Sequence, residues 1–182
     1  MIVIDIRPGD ENMILAAARI AQAAFAHIPF CDTFEEALQE VREALAPGKI
    51  CLAATDENSS MLGWIGGQHA YALVWELHPL VVDPVYQRRG VGRALVLELE
   101  RRVATAGGLT ITLGSDDEFG GTNLYGRDLY PDVLSAAQNL QSVADHPFIF
   151  YQKLGFIVTG LVPDANGFGK PDILMCKRVS SA

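Results

Sequence analysis

Cysteine is scarce in this chain, with three in 182 residues at Cys31, Cys51 and Cys176. The number is odd, the spacing is wide, no C-x-x-C pair occurs and the histidines do not cluster. No disulfide framework and no zinc site are therefore suggested, and the cysteines are expected as small packing residues with no metal bound. Long apolar runs are missing as well. No stretch approaches the roughly 20 uninterrupted apolar residues of a membrane span. The first 30 residues carry Asp5, Arg7, Asp10, Glu11 and Arg19 where a signal peptide needs an apolar block, so a cytoplasmic protein with no membrane partner is expected. Positive charge is in deficit: 14 lysines and arginines face 22 acidic residues, giving a net charge of −8. That balance argues against non-specific nucleic-acid binding, which relies on basic patches to release counterions, and favours a cationic partner. Internal repeats, low-complexity tracts and linkers are absent.

What is present suits one domain over 1–182, with 49% hydrophobic residues to build a sizeable core. IVIDI alternates as a strand. Residues 12–26 are alanine-rich and read as a helix. Thr33 with Glu36 three positions later forms a capping box for a second helix, whose buried stripe is Leu38, Val41 and Leu45. ICLAAT and MLGWIGGQHAYALVWELHPLVV read as antiparallel strands joined by a hairpin at DENSS. From 90 to 106, Val91, Leu95, Leu99 and Val103 make a helical ridge that Gly107-Gly108 terminates. LTITLGS is a further strand, so strand 74–82, helix 90–106 and strand 109–114 form a βαβ unit. HPFIFYQKLGF is a short helix, and FIVTGLV and DILMCKRV are the last strands.

The junction PVYQRRGVGR at 84–93 packs arginines and glycines into a strand-to-helix turn. A helix N-terminus behind glycines offers unsatisfied N–H groups and the positive end of the helix dipole to a phosphate. A Walker loop needs G-x-x-x-x-G-K-[ST], which is absent, and G-x-G-x-x-G fails because Leu95 stands where its third glycine belongs. The pattern that remains is [QR]-x-x-G-x-[GA], the pyrophosphate loop of acyl-coenzyme A dependent N-acetyltransferases; a plain solvated turn is the competing reading. Pro79 lies inside the preceding strand and cannot donate to a ladder, which implies a bulge or a parting of strands there. Such a gap admits an extended pantetheine arm against Leu80, Val81 and Val82.

On QRRGVG and HPFIFYQKLGF the chain resembles the GNAT superfamily of N-acetyltransferases. WELHPLVV, GGLTITLGSDD, GTNL, DLY, QNL and PDANGFGKPDILM widen the likeness to the aminoglycoside 6'-N-acetyltransferases of Gram-positive bacteria, from about Cys51 to Met175. The resemblance implies an α/β (α+β) fold: a mixed, mostly antiparallel sheet with a central parallel strand pair splayed at a bulge, flanked by helices. It implies acetyl-coenzyme A (acetyl-CoA) as cosubstrate, held by Leu80, Val81, Val82, Gln87, Arg88, Arg89, Gly90, Val91, Gly92, Arg93 and Tyr151. It also implies a homodimer and a role in antibiotic resistance.

Strand periodicity puts Glu76, His78 and Leu80 on one face. An amine of pKa about 9 is only ~1% neutral at pH 7, so removing its proton accounts for roughly 2.7 kcal/mol of the barrier to attack on a thioester. Glu76 is the candidate base, directly or through water; its structural alternative is pairing with a basic residue on a neighbouring strand. His78 is a substrate contact, a second base or a packing residue. The resemblance makes Tyr151 the acid, or hydrogen-bond donor, for the departing thiolate; core packing is its structural alternative. Asp116 and Asp117 are expected, with Glu118, as an acidic rim for a cationic acceptor. Glu35, Glu36, Glu40 and Glu43 could extend that field. Acetyl transfer to the 6'-amine of an aminoglycoside is the leading reading. A polyamine or protein amine is the alternative acceptor, and a non-catalytic coenzyme-binding or drug-sequestering module the alternative class.

Overall fold

The structure, a computed structural model, describes residues 1–26 and 33–179; Cys31 falls outside them. In chain order the elements are β1 (Ile2–Asp5), α1 (Glu11–Ala24), α2 (Phe34–Ala44), β2 (Ile50–Thr55), β3 (Met61–Tyr71), β4 (Val74–Val82), α3 (Val91–Thr105), β5 (Thr110–Asp116), α4 (Val133–Gln138), α5 (Phe148–Lys153), β6 (Ile157–Val162) and β7 (Asp172–Arg178). The fold is mixed α/β, its seven strands mostly antiparallel and flanked by helices, as expected. The residues gather into two compact units, Met1–Leu109 with Val179, and Thr110–Arg178.

In the first unit β1 to β4 pair antiparallel in sequence order. The period of two sends Ala53, Trp64 and Val81 to one face, where they join Ile14, Ala17, Ala18 and Val41 of α1 and α2 in the core. Trp64 donates its indole N–H to the Ala17 carbonyl at 3.1 Å, so the large ring is buried without an orphaned donor. Gly67 points to the other face, where an added Cβ would come 2.7 Å from Leu99 of α3. The helix ends follow the sequence signals. Thr33 and Glu36 exchange both capping-box hydrogen bonds. Gly107, at φ +82°, closes α3 while the N–H of Gly108 returns to the Val103 carbonyl at 2.9 Å. At the DENSS turn the Asp56 carboxylate accepts from the amides of Asn58 and Ser60.

In the second unit β5, β7 and β6 lie side by side, antiparallel, with Ile111, Leu113, Ile173 and Met175 buried. The short helix α4 carries no buried residue, which is why no apolar period announced it. Cys51 is buried and its thiol is pushed up to about 12, chiefly by desolvation and secondarily by Asp5; Cys176 hydrogen-bonds Thr112. Among the described residues no helix is long and apolar enough to cross a membrane.

Candidate active site

The expected irregularity at Pro79 is a β-bulge. Leu80 stands opposite Ile65 and Leu77 opposite Gly67, so His78 and Pro79 together face the single residue Gly66. A Cβ at Gly66 would collide with the His78 carbonyl, so glycine is required there. Beyond the bulge the ladder is regular, and the Asp83 N–H bonds the Leu62 carbonyl at 3.0 Å. Antiparallel alternation then turns the backbone groups of Val81 toward β3 and those of Leu80 and Val82 away from it. Two of the three residues expected to offer free backbone groups thus present them on the side away from β3.

Glu76 and His78 keep to one face of β4, and each has a partner. Glu76 accepts a hydrogen bond from the Gln68 amide on β3 at 2.9 Å. Its neighbouring-strand partner is therefore a neutral amide and not the basic residue of the structural alternative, so the carboxylate charge is not neutralised there. His78 Nε2 lies 3.3 Å from Glu40 Oε1 of α2, with the glutamate side chain only 16% exposed. That hydrogen bond raises the His78 pKa above the usual histidine value, against partial burial; the charges of Glu40 and Glu76 act in the same direction and Lys49 opposes them.

The turn before α3 has the shape of an anion cradle. Gly90 takes the left-handed conformation at φ +87°, and α3 opens on it with no side-chain cap. Nothing lies within 4 Å of where a Gly90 Cβ would stand. Gln87, Arg88, Arg89 and Gly90 are exposed, Arg88 itself at φ +58°, and Gln87 holds the turn by donating to the Val82 carbonyl at 3.3 Å. Arg89 sits over the Tyr86 ring. The first N–H groups of a fifteen-residue helix, at Val91, Gly92 and Arg93, therefore start from an open turn carrying Arg88 and Arg89, with Arg93 in the first helical turn, in a chain of net charge −8. These residues fit the pyrophosphate of coenzyme A.

In the second unit the two aspartates separate. Asp116 is exposed at the end of β5, and its carboxylate accepts from Asn166. Asp117 is 1% exposed, with its carboxylate accepting from the backbone of Gly121 and Thr122 and from the Thr122 hydroxyl at 2.6 Å. The expectation that both form an acidic rim is corrected: the chain turns inward after β5, and Asp117 organises the loop while Asp116 remains at the surface. Tyr151 is 9% exposed, edge-on to Phe150 and Phe156, and burial raises its phenol pKa. Its ring packs in the core, and its hydroxyl stays protonated across the neutral range. Gln68, Asn166 and His146 join the picture from the structure, and Glu40, expected only to extend the acidic field, is the partner of His78. Gln68 was unmarked because register alone puts it opposite Glu76, and Asn166 because its loop has no periodicity.

Residues 17–129 match the Acetyltransferase (GNAT) family. A crystal structure of an aminoglycoside 6'-N-acetyltransferase complexed with coenzyme A superposes with a TM-score of 0.91 at 34% identity, covering 99% of this chain and 98% of that one. The aminoglycoside 6'-N-acetyltransferase from Enterococcus faecium gives 0.90, also at 34% identity with 99% and 98% covered. An aminoglycoside 6'-acetyltransferase type Ii gives 0.76 at 30%, again covering 99% and 98%. No curated protein matches. The chain belongs to the acetyltransferase (GNAT) family. It is an acetyl-CoA-dependent N-acetyltransferase.

Proposed function

We propose that the chain, residues 1–182 as one acetyltransferase domain, moves an acetyl group from acetyl-CoA to the 6'-amine of an aminoglycoside by direct attack. Acetyl-CoA, when bound, supplies an acyl group activated as a thioester. The cradle from Gln87 to Arg93, with the outward backbone of Leu80 and Val82, would hold it.

The observation that carries the reading is the Glu76 carboxylate, half-buried, oriented by a neutral amide and sharing a face with His78, which pairs with Glu40. His78 is engaged by the Glu40 carboxylate, which leaves Glu76 as the group on this face to take a proton from an incoming ammonium, directly or through water. The carboxylates of Glu76 and Glu40 beside this face favour a cationic acceptor, with Lys49 opposing them. Asp116 adds a carboxylate for the same acceptor. Tyr151, neutral through the working range, donates its hydroxyl hydrogen to the departing sulfur. Cys51 is buried with its thiol pushed up to about 12, which disfavours an acyl-enzyme there. The 34% identity with structures bearing the aminoglycoside name supports this acceptor over a polyamine or a protein amine. A homodimer and a resistance role are proposed with it, on the motif resemblance alone.

The test is acetyl transfer measured against four acceptors: aminoglycosides with a 6'-amine, aminoglycosides with a 6'-hydroxyl, polyamines, and peptide N-termini. Selective acetylation of the first group is expected. Equal or better turnover of a polyamine or peptide would overturn the acceptor, and coenzyme binding without turnover of any amine would overturn the enzymatic reading.

A further inference from the structure

His146 belongs to none of the roles above, yet it is among the most constrained polar residues of the second unit, 4% exposed. Its ring joins two elements. On one side Nδ1 accepts the backbone N–H of Phe148, the first residue of α5, at 3.2 Å. On the other, Nε2 lies 3.0 Å from the carbonyl oxygen of Asp116, the last residue of β5. A nitrogen that accepts from an amide carries no hydrogen, and a carbonyl can only accept. The two contacts together therefore fix the neutral ring with its hydrogen on Nε2. Its ring packs on Gly121, where an added Cβ would stand 2.7 Å from Cδ2, and the His146 backbone N–H donates to the Ser142 hydroxyl.

We propose that His146 is a positioning residue that ties the Asp116 end of β5 to the start of α5, and so sets the acceptor carboxylate and the Tyr151 hydroxyl with a single neutral imidazole. Nδ1 serves α5, which presents Tyr151 three residues after Phe148, and Nε2–H serves β5, which presents Asp116. Burial lowers the His146 pKa, against the Asp116 carbonyl and the nearby charges of Asp117 and Asp116, so the neutral form that this link requires is kept. In acid a protonated Nδ1 would face the Phe148 N–H donor to donor and release α5.

This inference rests on the roles assigned above to Asp116 and Tyr151, and side-chain chemistry lets its two halves be separated. His146→Asn places an amide oxygen near the Nδ1 position and keeps the α5 contact while losing the β5 contact. His146→Gln extends an amide N–H to the Nε2 position and does the reverse. Substitution at this site is expected to shift one group and not the other. By NMR, His146→Asn should move the Asp116 carboxylate carbon resonance and leave the Tyr151 ring signals in place, and His146→Gln should do the opposite. With an aminoglycoside bearing a 6'-amine, His146→Asn should raise acceptor KM about tenfold with the single-turnover rate kept. His146→Gln should lower the single-turnover rate by up to about 10²-fold with KM kept, the scale expected when a reacting group is displaced by about an ångström.

If both variants move both sets of signals equally, or only lower Tm, the residue is a packing histidine and the proposal is overturned; the NMR arm decides this whatever the acceptor. Asp116→Asn and Tyr151→Phe, measured alongside, separate the two failures. No effect from either of these would overturn the roles assigned to them. An effect from both, with no split between the His146 variants, would overturn only the link.

Discussion

His78 Nε2 lies 3.3 Å from Glu40 Oε1, so a strand histidine that could have been a base is instead paired with a helix carboxylate. The hydrogen bond raises the folded-state pKa above the unfolded value, so its stabilising contribution is full below about pH 6.5 and is lost as pH rises through the folded pKa. Glu40→Gln should lower the His78 pKa, read by NMR titration, and flatten the stability difference across that window. A His78 pKa unmoved by the substitution would show that the pair does not form in solution.

Removing the base without altering shape tests Glu76. Glu76→Gln should lower the single-turnover rate by about 10²-fold near neutrality. The deficit against wild type should shrink as pH approaches the amine's own pKa, because the acceptor is then increasingly neutral without help. A deficit that is constant with pH would remove the general-base role. Steady-state kcat alone does not decide the matter, since slow product release can mask the chemical step.

At the cradle, Gly92→Asp should abolish coenzyme A binding by setting a carboxylate against the pyrophosphate at the helix N-terminus, with the fold retained by circular dichroism. Gly90→Ala has open space for its methyl group, but φ is +87°, so it should cost about 1 kcal/mol of stability from the left-handed backbone alone. Near-normal affinity by calorimetry in folded Gly92→Asp would sink the cradle assignment.

Asp116 and Asp117 are adjacent in sequence and should respond oppositely. Asp116→Asn should raise acceptor KM and weaken its dependence on salt while leaving Tm nearly unchanged. Asp117→Asn weakens three hydrogen bonds to a buried carboxylate and should cost about 2 kcal/mol, lowering Tm by roughly 4–8 °C. Similar effects of both on KM and on Tm would contradict the separation.

Much of the architecture was legible because it rests on local chemistry. A capping box at Thr33 and Glu36, the ridge Val91–Leu95–Leu99–Val103, a glycine pair after α3 and the period of two in the strands each act within a few residues, so the sequence alone marks them. A proline in a strand announced the bulge at Pro79 for the same reason: its missing donor is a property of the residue. QRRGVG was legible as an open, uncapped helix start because that is a local event.

Partners set by distance were not legible. Two consecutive aspartates look alike in sequence, and only the turn after β5 buries Asp117 against Gly121 and Thr122 while leaving Asp116 outside. Strand periodicity put Glu76 and His78 on one face but not the Gln68 amide or the Glu40 carboxylate, which arrive from β3 and α2 by register and helix packing. Nor could the protonation of His78 or of His146 be read from the chain. A histidine titrates near pH 6.5 unless its surroundings move it, and those surroundings are a carboxylate 38 residues away for one and burial of the ring, against a carbonyl 30 residues away, for the other. The sequence determined which side chains the site has to work with; the tertiary structure decided which partners they meet, because register and helix packing act over distances that no local pattern records.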